Sequence, residues 1–154
     1  CYSKDSFKWI ERNLLMVDLK QIDFFVQAIK EAKRIYLYGV AYSHLLCQYI
    51  QYEGDLFQKD FIVLDENESS LILKEGDLLL VVGVEEDALN KHSSRYLRKI
   101  LRNPGKKLLI STELIEPMML KYFNKSLLLP IECLEMKERR ILFRCFVDLM
   151  MARL

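Results

Sequence analysis

Residues able to do chemistry gather in three short stretches of this 154-residue chain. The first, Gly39-Val40-Ala41-Tyr42-Ser43, pairs a turn glycine with a serine at a helix start. A hydroxyl placed there beside free backbone N–H groups can hold an anion. The same residues serve equally well as a turn and an N-cap with no ligand at all. The second stretch, Gly83-Val84-Glu85-Glu86-Asp87, is acidic. Carboxylates at a helix start complement its dipole; as a binding site they would repel phosphate and favour a cation or an amine. The third, Ser111-Thr112-Glu113, offers two hydroxyls. His44 and His92 are the only histidines, and each follows one of these loops. Either could act as acid or base near neutrality, although neither has a partner close in sequence.

Other chemistries lack their signatures. No Gly-x-Ser-x-Gly elbow, P-loop or His-Glu-x-x-His occurs, so a nucleophilic enzyme has no positive support. The four cysteines, Cys1, Cys47, Cys133 and Cys145, share no short spacing with each other or with histidine. Neither a metal nor a cofactor is expected. Cys47 and Cys145 sit in apolar helical patterns, where a thiol behaves as a small hydrophobe, and a reducing cytoplasm is the expected location.

The elements that must position these loops alternate between two periods. Asp5 or Ser6 can cap a helix with Phe7, Ile10 and Leu14 on one face. Asp18, with Gln21 three residues on, has the form of a capping box ahead of Leu19, Ile22, Val26 and Ile29. Residues 35–38 are a strand ending at Gly39. Ser43 is expected to cap the next helix, with Leu46, Tyr49, Ile50, Leu56 and Phe57 on its apolar side. Residues 61–64 form a second strand, residues 71–73 a helical turn, and residues 74–77 a polar turn. Residues 78–82, apolar on both faces, suit the middle of a covered parallel sheet. A helix over 87–103 carries Tyr96, Leu97, Ile100 and Leu101 inward and stops at Pro104-Gly105. Residues 107–111 form a strand, Pro117 starts a short helix, and residues 126–129 form the last strand. Residues 134–154 form a helix apolar almost all round. Such a helix either threads between other elements or packs against a second copy of the chain, with a homodimer slightly favoured.

Strands alternating with helices indicate an α/β three-layer sandwich around a five-stranded parallel sheet, in which ligands bind at the carboxyl ends of the strands. We expect a single domain, with residues 1–32 as a helical lead-in and residues 33–154 as the α/β part. Hydrophobic residues make up 51% of the chain and the net charge is +1. Those values exclude intrinsic disorder and a global field for nucleic acid or an anionic membrane. No stretch approaches the roughly 18 apolar residues of a membrane span, and no membrane partner is expected. The chain begins at Cys1, which suggests a piece of a longer protein.

Taken together, these landmarks resemble the sugar isomerase (SIS) domain, and more narrowly the C-terminal SIS domain of RpiR-type bacterial transcriptional regulators. The resemblance rests on Ala32-Lys33-Arg34 leading into the first strand, on Gly39, Ala41 and Ser43, and on Leu73-Lys74-Glu75-Gly76-Asp77. It continues in Ser111-Thr112, Pro117, Leu127-Leu128-Leu129-Pro130 and the tail from Arg140 to Leu149, and it spans almost the whole chain. It implies flavodoxin-like strand order, dimerisation, and a sugar-phosphate pocket at the strand ends. It also implies that DNA is reached only through a separate N-terminal part. Gly39, Ser43 and Thr112 then become candidate ligand contacts. The second loop departs from the family pattern Ser-x-Ser-Gly-x-Thr. Gly83, Glu85 and Ala88 replace its hydroxyls, and Glu85 and Glu86 add negative charge. Each unit charge on a phosphate would be repelled by about 1 kcal/mol per carboxylate at contact distance in water. The expectation is an effector-sensing and dimerisation domain of a regulator of carbohydrate metabolism, cytoplasmic, with its sugar-phosphate pocket altered or lost. The alternatives are a phosphosugar isomerase with His44, His92 or Glu86 as base, and a flavodoxin-like interaction domain unrelated to sugars.

Overall fold

A computed structural model describes residues 5–66, 71–86, 89 and 95–154. Two helices lead in, α1 (Ser6–Leu15) and α2 (Leu19–Glu31). The Asp5 carboxylate accepts from the Lys8 N–H at 3.2 Å, and that of Asp18 from the Lys20 N–H at 2.9 Å. Caps of this kind stabilise a helix by about 1 kcal/mol each. On α2 Ile22, Val26 and Ile29 of the expected stripe are buried together with Phe25, whereas Leu19 is exposed.

Strands β1 (Arg34–Tyr38), β2 (Phe61–Val63), β3 (Asp77–Val82), β4 (Lys106–Thr112) and β5 (Lys125–Leu129) form one sheet in the order β2-β1-β3-β4-β5. All neighbours run parallel. This is the flavodoxin-like order expected from the sequence, and it reverses direction at β1 and β3. The remaining helices are α3 (Tyr42–Leu56), α4 (Arg95–Leu101), α5 (Pro117–Leu120) and α6 (Met136–Ala152). Leu78, Leu80 and Val82 of β3 enter a core shared with α1, α2, α3 and α6. Leu79 and Val81 enter a second core, shared with α4 and α5. Every residue of β3 is buried, which accounts for its unbroken apolar run. The strand starts from a fastened turn. The Asp77 carboxylate accepts from the Lys74 N–H at 2.9 Å, and the Gly76 carbonyl, at a φ of +87°, accepts from the Lys33 N–H at 2.8 Å.

Four local expectations are corrected. Residues 71–73 form no helical turn, because the Asn103 side chain holds them. Its Oδ1 accepts from the Leu73 N–H at 3.0 Å, and its Nδ2 donates to the Leu71 carbonyl at 3.1 Å. Ser43 does not cap α3; Ala41 occupies the N-cap position, and no side chain bonds there. Leu56 and Phe57 are exposed, since the buried side of α3 runs through Leu46, Cys47, Ile50 and Gly54.

The fourth correction concerns α6. Leu142, Phe143, Phe146, Val147, Met150 and Met151 are all buried by the chain's own sheet and by α1, α2 and α3. The helix therefore threads between elements, and its apolar content does not by itself require a second copy. The expected helix over 87–103 is described only in part, because residues 87, 88 and 90–94 lie outside the described residues. Among the described residues, no helix is long and apolar enough to cross a membrane.

Candidate functional site

The carboxyl ends of β1, β3 and β4 bring the three loops together. Gly39 ends β1 where α3 turns back over it. A Cβ on Gly39 would stand 2.7 Å from the Ser43 carbonyl carbon, so close approach, not a left-handed turn, requires glycine here. The left-handed geometry falls instead on Ala41, with φ 55° and ψ −122°, a combination that favours glycine. A non-glycine residue there carries strain of about 1–3 kcal/mol. Ala41→Gly is therefore expected to raise the unfolding free energy by about 1 kcal/mol once the greater chain entropy of glycine is subtracted. Equilibrium urea unfolding checks this; a destabilised variant would contradict it.

Ser43 is buried, and its Oγ accepts a hydrogen bond from the Val84 N–H at 2.9 Å, tying the first loop to the second. On the far side the Ser111 hydroxyl donates to the Gly83 carbonyl at 2.8 Å. Gly83 also lies under Leu89, whose Cδ1 a Cβ would meet at 2.4 Å. Residues 83 and 84 are thus fastened on both sides by serines, and neither serine hydroxyl points out as a free ligand.

Of the acidic pair, Glu86 is turned inward. Glu86 is buried, and its Oε2 accepts from the Thr112 hydroxyl at 3.1 Å. The Thr112 Oγ1 in turn accepts from the Leu114 N–H at 3.2 Å. The other oxygen of Glu86 faces the guanidinium Nη1 of Arg139 at 3.4 Å. Glu85, more exposed, faces Nη2 of Arg140 at 3.5 Å. Both arginines sit near the start of α6, and Arg139 is further held by its Nε–H donating to the Leu134 carbonyl at 3.3 Å. The two carboxylates expected to make this mouth negative are thus matched by two cations. Arg139 and Arg140 lie 53 and 55 residues beyond their partners, and no sequence motif linked them to the loop.

The histidine candidates gain no catalytic partner. His44 lies on α3, half-buried, and makes no ion pair or side-chain hydrogen bond among the described residues. His92 and Ala88 lie outside the described residues. Burial pushes the Cys47 thiol up to about 12, so it is no nucleophile near neutrality. Among the described residues no three histidine, cysteine or carboxylate side chains are grouped to hold a metal. A cavity of about 570 Å³ opens at the opposite edge of the sheet, beside Ala32, Gly76, Asp77 and Gly105 at the amino ends of the strands. It shares no residue with these loops.

A three-layer sandwich with this strand order is the fold of the sugar isomerase domain, and solved structures share it. Vibrio vulnificus NanR, solved with ManNAc-6P, superposes with a TM-score of 0.73 at 13% identity, over 96% of this chain and 58% of NanR. The sugar isomerase domain of an RpiR transcription factor from Sphaerobacter thermophilus gives 0.69 at 17% identity, over 96% and 84%. A Methanococcus jannaschii protein, for which a 3-hexulose-6-phosphate isomerase function is inferred, gives 0.68 at 15% identity, over 96% and 87%. The chain spans little more than half the length of the Vibrio protein. No protein-family model matches the sequence, and no curated protein matches it.

Proposed function

We propose that the chain is the effector-sensing and dimerisation domain of an RpiR-type bacterial transcriptional regulator of carbohydrate metabolism, acting in the cytoplasm, with its sugar-phosphate pocket altered. The observation that carries this reading is the closed mouth of the sheet. Ser43 and Thr112, the hydroxyls that the family resemblance would give to a ligand, are both engaged by residues 84 and 86. An isomerase needs a base poised over an open substrate site. Here Glu86 is ion-paired with Arg139, and His44 has no orienting partner among the described residues.

The same contacts suggest how a ligand could be felt at a distance. The start of α6 holds the second loop through Arg139 and Arg140. Immediately before α6, residue 132 is clasped by Asn13 of α1. A ligand that moved residues 83–86 would thus pull on the helix against which α1 and α2 pack. It would shift the dimer only as far as it binds one arrangement better than the other. The isomerase remains the second reading, favoured by the likeness to the Methanococcus protein and to a Listeria monocytogenes protein for which a sugar-phosphate isomerase function is likewise inferred.

Two observations decide between them. Incubation with aldose and ketose phosphates is expected to give no interconversion, and the coding sequence immediately upstream of Cys1 is expected to specify a helix-turn-helix. Turnover of any such phosphate, or a start codon with no such segment before it, would overturn the regulatory reading.

A further inference from the structure

We propose that Glu86 is an intramolecular ligand. Its carboxylate occupies an anion seat made by the Thr112 hydroxyl and the Arg139 guanidinium, so an external phosphate can enter only in exchange for it. The inference rests on the regulatory reading for the importance of this pocket, but on geometry alone for its chemistry. A carboxylate buried to 8% exposure is unfavourable unless donors converge on it. Donors do converge here, from two separate elements: a hydroxyl at the end of β4 and a guanidinium on α6. Hydroxyl plus guanidinium is a donor set suited equally to a phosphate. Among the described residues Arg139 has no ion pair other than with Glu86, so removing that carboxylate leaves a half-buried cation without a counter-ion.

Two neighbouring donors are already committed. The Val84 N–H is used by Ser43 and the Ser111 hydroxyl by the Gly83 carbonyl. Neither of these is left for a second anion while Glu86 stays in place. With Glu86 seated, each described carboxylate of the second loop faces a guanidinium, Glu86 that of Arg139 and Glu85 that of Arg140. The resident state therefore suits an uncharged or cationic effector, and a phosphomonoester acts only as a displacing ligand. Displacement would release residues 83–86 from the start of α6.

The test is calorimetry with inorganic phosphate on the wild-type chain, Glu86→Ala, Glu86→Gln and Glu86→Ala/Arg139→Ala. Wild type is expected to give no saturable heat at millimolar phosphate. Glu86→Ala should bind at least about tenfold more tightly, with removal of a contacting like charge, and the double variant should lose that gain. Glu86→Gln keeps the side chain's shape and is expected to show a smaller gain, which keeps the test decisive if Glu86→Ala does not fold. Folded variants that bind phosphate no better than wild type would overturn the proposal and leave the regulatory reading standing. Phosphate binding by wild type as tight as that of Glu86→Ala would likewise overturn it. Isomerase turnover would remove the regulatory reading while leaving the seat itself to be judged by these titrations.

Discussion

Replacing Asn13 with alanine is expected to lower the unfolding free energy by about 3 kcal/mol, the sum of orphaned and lost hydrogen bonds at a buried site. Asn13 is a fully buried polar side chain on α1. Its Nδ2 donates to the carbonyls of Trp9 at 2.8 Å and Glu132 at 2.9 Å, and its Oδ1 accepts from the Glu132 N–H at 2.9 Å. Alanine keeps the helix but leaves both backbone groups of Glu132 without their partner. For a domain of this size the midpoint should fall by roughly 6–12 °C. Because the clasp joins α1 to the segment before α6, amide exchange in α1 should accelerate beyond the global effect. A loss under about 1 kcal/mol in urea unfolding, within the range of an ordinary surface change, would show that the clasp does not hold in solution.

Phe146→Ala should have a larger effect, about 4 kcal/mol, as buried phenylalanine truncations do when the surroundings cannot collapse. Phe146 is fully buried in the core formed by α1, α2, α3, α6 and the sheet. The informative comparison is Leu149→Ala on the same helix. Leu149 is 36% exposed, and its truncation should cost no more than about 1 kcal/mol. If a second copy covered this side of α6, Leu149→Ala would cost far more and the midpoint would rise with protein concentration. The pair of variants therefore separates burial within one chain from burial between two.

How much of this could be read from the sequence varies with how local each cause is. The central strand was legible because an apolar run bounded by turn residues has few other homes in an α/β chain. The caps at Asp5 and Asp18 were legible for the same reason: partner and acceptor lie within three residues. Residues 71–73 were not, since their apolar spacing fits a helical turn and the side chain that holds them, Asn103, lies about 30 residues away. The covering of α6 stayed open between the chain's own elements and a second copy, because an all-round apolar pattern does not say whose atoms cover it. At the site, the three loops and the hydroxyls of Ser43 and Thr112 were placed correctly at the strand ends. The direction of Glu86 was not legible, because an acidic loop reads as repulsive until the arginines of α6 are seen beside it.

The turn ahead of β3 has a further consequence, for strand pairing. A strand with polar and apolar sides resists slipping by one residue, since every side chain would change faces. β3 has no polar side, so alternation cannot hold its register against β1 and β4. That task falls to residues 74–77, where the Asp77 carboxylate, the left-handed Gly76 and the bond from Lys33 fix which residue enters the sheet first. Deleting one residue there would leave the strand as apolar as before while exchanging the occupants of its two cores. The polar turn, not the apolar run, thus decides which leucines face α6 and which face α4.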